Sequence, residues 1–203
     1  VTQDHRAARH GVEHDGHDGQ VDTRRRMIDT ALELIADNGY AGMSLQMVAT
    51  ATGVTKAAVY YHFRTKAELL DAILQQLFAG ARPPESNTSI RSRRARLTGA
   101  AERLLDALTH SRRALAVING DPAIRRHTTF LALVEDVRKE TIVAVYGENP
   151  TSEDLASFYL ATSAVNTLPN LEHLTDTELV QALRPPVYRA LGLRYPPPTR
   201  GRA

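Results

Sequence analysis

The chain has no cysteine. That excludes structural disulfides, thiolate zinc sites and cysteine nucleophiles. No apolar run is long enough to cross a bilayer, and the first residues contain no hydrophobic signal core; the expectation is a soluble cytoplasmic protein with no membrane partner. No useful length of sequence alternates with the period of a strand, and no internal repeat occurs. Net charge is only +2 over 203 residues, which does not suggest indiscriminate coating of nucleic acid. The length suffices for one large domain or two small ones with cores of their own. A local absence says more. No Asp or Glu occurs between Asp37 and Glu68, while Lys56, Arg64 and Lys66 all do. A carboxylate there would face phosphate, so the gap suits a DNA-facing surface.

The stretch from Ser44 to Lys66 reads as two short helices joined by a tight turn. Ser44 caps the first, and its hydroxyl or the adjacent amides could hold a phosphate. Gly53 follows an alanine-rich run, where the chain needs positive φ to leave the helix. Val54 fills the angle between the helices, and Thr55 caps the second. Small Ala49 and Ala51 allow a close crossing. A short glycine-containing turn between helices is the helix-turn-helix pattern. At 3.6 residues per turn, Val59 and Phe63 point inward and Lys56, Ala57, Tyr60 and Tyr61 outward. Lysine can donate to guanine O6 and N7; alanine methyls and tyrosine rings can meet thymine methyls or phosphates. Lys56 and Tyr61 are assigned to base edges, with Ala57 and Ala58 in the groove. Ser44, Thr55, Tyr60, His62 and Lys66 are assigned to phosphates.

The chain resembles the TetR family of bacterial transcription regulators from about Thr23 to Leu70. The resemblance rests on Ile28-x-x-Ala31-Leu32-x-x-Ile35, Asn38-Gly39-Tyr40, Ser44, Gly53-Val54-Thr55-Lys56 and Tyr60-x-x-Phe63-x-x-Lys66. It implies a three-helix DNA-binding domain, a larger helical domain that binds a small effector, and a homodimer. It also implies repression by occupying operator DNA, released by the effector. Tyr61-His62 is where members of the family vary widely, and it leaves the operator sequence open.

In chain order, residues 1–20 read as a disordered arm, because they hold almost no large apolar side chain. His10, His14 and His17 have a spacing that would form a metal face on a helix, but Gly11, Gly16 and Gly19 argue against a helix, and no metal site is assigned. The DNA-binding domain is placed at 21–67. Its first helix is expected from Asp22 or Thr23 to Asn38, with Ile28, Ala31, Leu32 and Ile35 inward and Gly39 ending it. Arg24, Arg25 and Arg26 then fall in its first turn, against the helix dipole, either facing a DNA backbone or solvated. Thr65-Lys66-Ala67-Glu68 reads as a capping box opening a fourth helix. The segment Gly80 to Thr88 is a boundary by composition.

The second domain is placed at 68–195, before a loose tail at 196–203. Helices are expected at about Ile90 to His110, Arg112 to Ile118, and from beyond Pro122 to Tyr146. Arg91, Arg93, Arg94 and Arg96 read as a solvated face, with a second phosphate patch as the weaker alternative. A further helix is capped by Thr151, and another opens at the box Thr175 to Glu178. Pro185-Pro186 should kink or restart the last one. The stripes Leu155/Phe158/Thr162/Val165 and Leu179/Leu183/Val187/Leu191 are assigned to a two-fold dimer interface.

The fold class is therefore all-α: an N-terminal three-helix helix-turn-helix domain plus a larger C-terminal ligand-binding and dimerisation domain. The partners are double-stranded operator DNA, a small effector and a second copy; no cofactor is expected. A hydrophobic or amphipathic effector is placed among Leu74, Phe78, Leu104, Leu108, Ile118, Phe130, Val134 and Val137, with His110, His127, Asn119 and Arg126 as polar candidates. The helix from Lys66 is expected to be the only rigid link between effector and DNA. Two rival readings stand beside this one. A ligand-responsive activator could use the same fold. An all-helical enzyme could use His110, His127 or His173 as a base, but no nucleophile motif, phosphate loop or metal pair accompanies any of them.

Overall fold

The computed structural model describes residues 15–83 and 92–195. The described residues form α-helices and one 3-10 segment, and no strand. The first helix, α1, spans Asp15–Gly42. Gly39 interrupts it at φ 69° and ψ 162°, a conformation that a Cβ would strain and that glycine adopts freely. The regular helix thus ends where the sequence suggested. Its start does not: α1 begins several residues before Asp22, so residues 15–20 are helical, and the rest of the expected arm lies outside the described residues. Arg24, Arg25 and Arg26 consequently lie well inside the helix, and the dipole conflict at a first turn disappears. Arg26 pairs with Asp22 four residues back, at 3.5 Å. His10 and His14 lie outside the described residues.

Next come α2 (Leu45–Thr52), α3 (Lys56–His62) and α4 (Lys66–Ala81). They close on α1 around Met27, Ile28, Ala31, Ile35, Met43, Val48, Val59, Phe63, Leu69 and Leu70, all buried. This core is not private to the first four helices. Ile118 and Ile124 belong to it, at 1% and 0% exposure.

The rest comprises α5 (Arg93–His110), α6 (Arg112–Gly120), the short α7 (Pro122–Arg125), α8 (Thr128–Tyr146), α9 (Ser152–Thr162), a 3-10 segment (Ser163–Leu171) and α10 (Asp176–Ala190). The sequence reading missed α7, whose local signal is Asp121 before Pro122. The Asp121 carboxylate accepts from Ala123 and Ile124 N–H, and proline is well suited to a first helical position. It also missed the 3-10 segment, which contains Pro169.

A second core joins α5, α8, α9 and α10. Phe158, Leu179, Leu183, Val187 and Leu191 are buried in it within one protomer. This corrects the dimer stripes: these five side chains fill the protomer's own core, while Leu155, Thr162 and Val165 are half-buried. The apolar groups left outside on α9 are Tyr159 and Leu160, at 48% and 66% exposure.

The prolines are a second correction. α10 runs through Pro185 and Pro186 without a break. Their rings remove the hydrogen bonds to the carbonyls of residues 181 and 182, and both of those residues are exposed, so water can satisfy the orphaned oxygens. A third correction concerns the arginines of α5. Arg93 binds the buried Asp154 carboxylate, and Arg96 donates to the Val145 carbonyl at 2.9 Å. They brace α5 against α8 and α9, while Arg94 is exposed as the sequence suggested. Ile90 and Arg91 lie outside the described residues. No described helix is long and apolar enough to cross a membrane.

Candidate nucleic-acid interface and ligand cavity

Local chemistry builds the α2–α3 unit. The Ser44 hydroxyl accepts from Met47 N–H at 3.3 Å, and the Thr55 hydroxyl accepts from Ala58 N–H at 3.1 Å. Gly53 sits at φ 71° and donates its own N–H back to the carbonyls ending α2. A hydroxyl that accepts from a cap amide keeps its proton, so Ser44 and Thr55 can still donate to a phosphate oxygen. Val59 and Phe63, at 0% and 2% exposure, fix the rotation of α3.

That rotation leaves Lys56, Ala57, Tyr60 and Tyr61 outside, Tyr61 at 75% exposure. The Lys56 ammonium lies 5.7 Å from the centroid of the Tyr60 ring, which holds the chain along the helix face. His62 is half-buried, its ring edge-on to Tyr61 at 5.2 Å between centroids. Ala58 is half-buried and packs against the core, so it lies at the edge of the face rather than at its centre. The arginines that sequence reasoning left out of the face are Arg24 and Arg64. Both are exposed, and the Arg24 guanidinium lies 5.2 Å from the centroid of Phe63, beside the end of α3. The acid-free gap contains Arg64, whereas Arg24 lies before it, among the arginines that the sequence left either facing a DNA backbone or solvated.

Lys66 occupies a different place. Its ammonium donates to the Ala41 carbonyl at 3.0 Å and lies 4.5 Å from the centroid of Tyr40. Burial lowers its pKa, with Asp121 acting the other way. The Glu68 carboxylate, expected to complete a capping box on Thr65, reaches the Arg64 N–H instead, at 2.8 Å.

Asp121 links the end of α1 to the α6–α7 corner. One of its oxygens accepts from the Tyr40 N–H at 2.7 Å, while the other caps α7. Burial alone would raise its pKa; the three backbone donors, Tyr40, Ala123 and Ile124, and nearby Lys66 outweigh that and lower it. With Ile118 and Ile124 in the first core, this junction overturns the expectation that the helix from Lys66 is the only rigid link.

Behind it lies a cavity of about 450 Å³. Phe78, Leu104, Ile118, Phe130, Val134 and Val137 line it as expected, and the cavity extends further, to Phe158 and Tyr159 on α9. Leu74 and Leu108 are instead sealed in the two cores, at 0% and 1% exposure. Of the polar candidates, Asn119 lines the cavity. His110 borders a separate cleft with Asp176, Gln181 and Arg184. His127 faces Asp71 on α4, 3.6 Å away, and Arg126 gives its place to Arg125.

Residues 27–73 match the family model described as "Bacterial regulatory proteins, tetR family". Over 53 residues the chain is 45% identical to the HTH-type transcriptional regulator SrpR of Pseudomonas putida, covering 26% of this chain and 25% of SrpR. It is 41% identical over 54 residues to the tetracycline repressor protein class C of Escherichia coli, covering 27% of this chain and 25% of the repressor. It is 31% identical over 99 residues to the HTH-type transcriptional activator FasR of Mycolicibacterium smegmatis, covering 47% of this chain and 44% of FasR. The chain thus spans less than half the length of these relatives. Among solved structures, a tetR-family transcriptional regulator from Streptomyces coelicolor has the same fold, with a TM-score of 0.58 and 24% identity, covering 84% of this chain and 80% of that one. With a helix-turn-helix of this geometry at the matched positions, residues 27–73 form a domain of the tetR family type.

Proposed function

We propose that the protein is a sequence-specific DNA-binding transcriptional regulator, a repressor that a small hydrophobic or amphipathic effector releases from its operator. The observation that carries this reading is the outer face of α3. It presents Lys56, Ala57, Tyr60 and Tyr61 on a helix capped at its start by Thr55, with arginines beside it and no acid from residue 38 to 67. Lys56 and Tyr61 read base edges, Ala57 sits in the groove with Ala58 at its margin, and Tyr60, His62, Ser44, Thr55, Arg24 and Arg64 position the backbone. Lys66 acts through the α1–α4 junction rather than as a free phosphate clamp.

Two copies act together. The apolar side chains that α9 leaves exposed, Tyr159 and Leu160, supply a contact for a second copy. Two recognition helices then meet half-sites about one helical turn apart, roughly 34–36 Å, or a multiple of it.

The effector occupies the cavity. Its walls include α4, α6 and α8, and α4 and the α6–α7 corner both reach the DNA-binding core. A ligand that favours one placement of these helices opposes DNA, and by linkage DNA opposes the ligand with the same coupling energy. The FasR likeness supports a second reading, in which the same coupling recruits rather than blocks transcription. A mobility-shift titration on the upstream region, followed by transcription from that promoter with and without protein, separates the two. Binding with reduced transcripts supports the repressor, binding with increased transcripts supports the activator, and no preference over scrambled DNA refutes both.

A further inference from the structure

We propose that the cavity selects an uncharged aromatic molecule carrying a hydrogen-bond acceptor, such as a ketone or ester oxygen. The inference rests on reading the cavity as the effector site. Among the described residues no Asp or Glu lines it, and each arginine that does is already provided for. Arg138 is paired with Glu135 and lies beside the Tyr159 ring, 5.8 Å from its centroid. Arg103 is not free, and it also borders Glu102 and Asp106 in a separate cleft. Arg125 is exposed and keeps its water. The lining therefore offers neither a counter-charge to a cation nor a spare cation to an anion. Asn119 is a neutral polar group in it, half-buried at the end of α6. It donates one amide hydrogen to the Leu115 carbonyl at 2.9 Å, and no hydrogen bond among the described residues uses the other. That second hydrogen can meet a ligand oxygen. Two edge-to-face ring pairs contribute to the apolar walls. Phe78 and Phe130 meet across α4 and α8 at 5.9 Å between centroids, and Phe158 and Tyr159 lie together on α9 at 5.6 Å.

Each ligand class meets this lining differently. A charged ligand loses its hydration there without gaining a partner, which is costly. A cation finds no acid, and an anion has to draw Arg138 away from Glu135. A neutral aromatic ligand avoids that cost, and its rings pack tilted or offset against the ring pairs. A hydrocarbon of the same shape displaces water from the Asn119 amide and leaves the second hydrogen without a partner. A carbonyl oxygen in the same frame restores that bond.

The test is equilibrium dialysis of the full chain against benzophenone, diphenylmethane, 4-benzoylbenzoate and (4-benzoylbenzyl)trimethylammonium. The first pair shares a shape and differs in the carbonyl; the second pair adds a charge of either sign. Benzophenone should bind at least about fivefold more tightly than diphenylmethane, and about tenfold more tightly than either ion. In Asn119→Leu the advantage over diphenylmethane should fall to about twofold or less while diphenylmethane affinity holds, which also shows the cavity intact. In Asn119→Asp, which gives the lining an acid, ammonium binding should strengthen at least about fivefold, a gain that misfolding cannot produce. Equal binding of benzophenone and diphenylmethane, or an ion bound as tightly as benzophenone, overturns the inference and leaves the effector cavity standing. An unchanged advantage in Asn119→Leu, or no gain in Asn119→Asp, overturns it too. Failure of all four to bind removes the effector-site reading itself.

Discussion

Lys56 and Lys66 lie in one acid-free stretch and do different work. Lys56 stands on the exposed face of α3, whereas Lys66 closes the α1–α4 junction through the Ala41 carbonyl and the Tyr40 ring. Replacing Lys56 by alanine should cost about 1–3 kcal/mol of operator affinity and relax specificity at one base pair. Replacing Lys66 by methionine should lower thermal stability by about 1 kcal/mol, measured by denaturant titration, since one hydrogen bond and one cation–π contact are lost. An unchanged midpoint for Lys66→Met, with a flattened salt dependence of DNA binding, would restore it to the phosphates. Ser44, Gly53 and Thr55 were legible in the sequence because their partners lie within a few residues. Lys66 was not, because the Ala41 carbonyl comes from a separate part of the chain, 25 residues away. The Arg93–Asp154 pair was illegible for the same reason. Its hydrogen bond to Arg93, with the Thr151 N–H, lowers the Asp154 pKa to about 2 from an ordinary 3.8. A depressed folded pKa means that the stabilisation is fully present above the unfolded value and is lost as pH falls through the folded one. Acid titration should therefore show a stability loss between about pH 4 and pH 2 that is diminished in Asp154→Asn.

At the scale of elements, the helices with complete local signals appeared where the sequence placed them. α9 and α10 open on full capping boxes, Thr151 with Asp154 and Thr175 with Glu178. Thr175→Ala should cost about 1 kcal/mol of stability by denaturant titration. The early start of α1 and the unbroken α10 were misread because glycine and proline penalties are averages that favourable surroundings can outweigh. The α6–α7 corner was misread for a different reason. Asn119-Gly120-Asp121-Pro122 looks like a stop, and nothing local says that Asp121 also holds the Tyr40 N–H, 81 residues away. Asp121→Ala should weaken the response of operator affinity to a cavity ligand while leaving ligand affinity within about twofold. A response of undiminished size would assign the coupling to α4 alone.

At the scale of the molecule, the helix-turn-helix was read with its caps and its buried and exposed side chains in place, because such a unit is specified within a few turns of chain. The cavity was legible as a surplus of apolar residues, but its extension to α9 depends on how distant helices pack. The dimer stripes show the limit of periodicity: an apolar stripe marks a buried face without saying whether the covering helix belongs to the same chain. The most direct test of the DNA-binding claim is selection from a random duplex pool with the full chain, repeated with the Lys56→Ala, Tyr61→Ala variant. The account predicts a near-palindromic sequence with half-sites about 10 base pairs apart, or a multiple, and loss or relaxation of that sequence in the variant. No enriched sequence from the native chain, or the same sequence at equal strength from the variant, would contradict it.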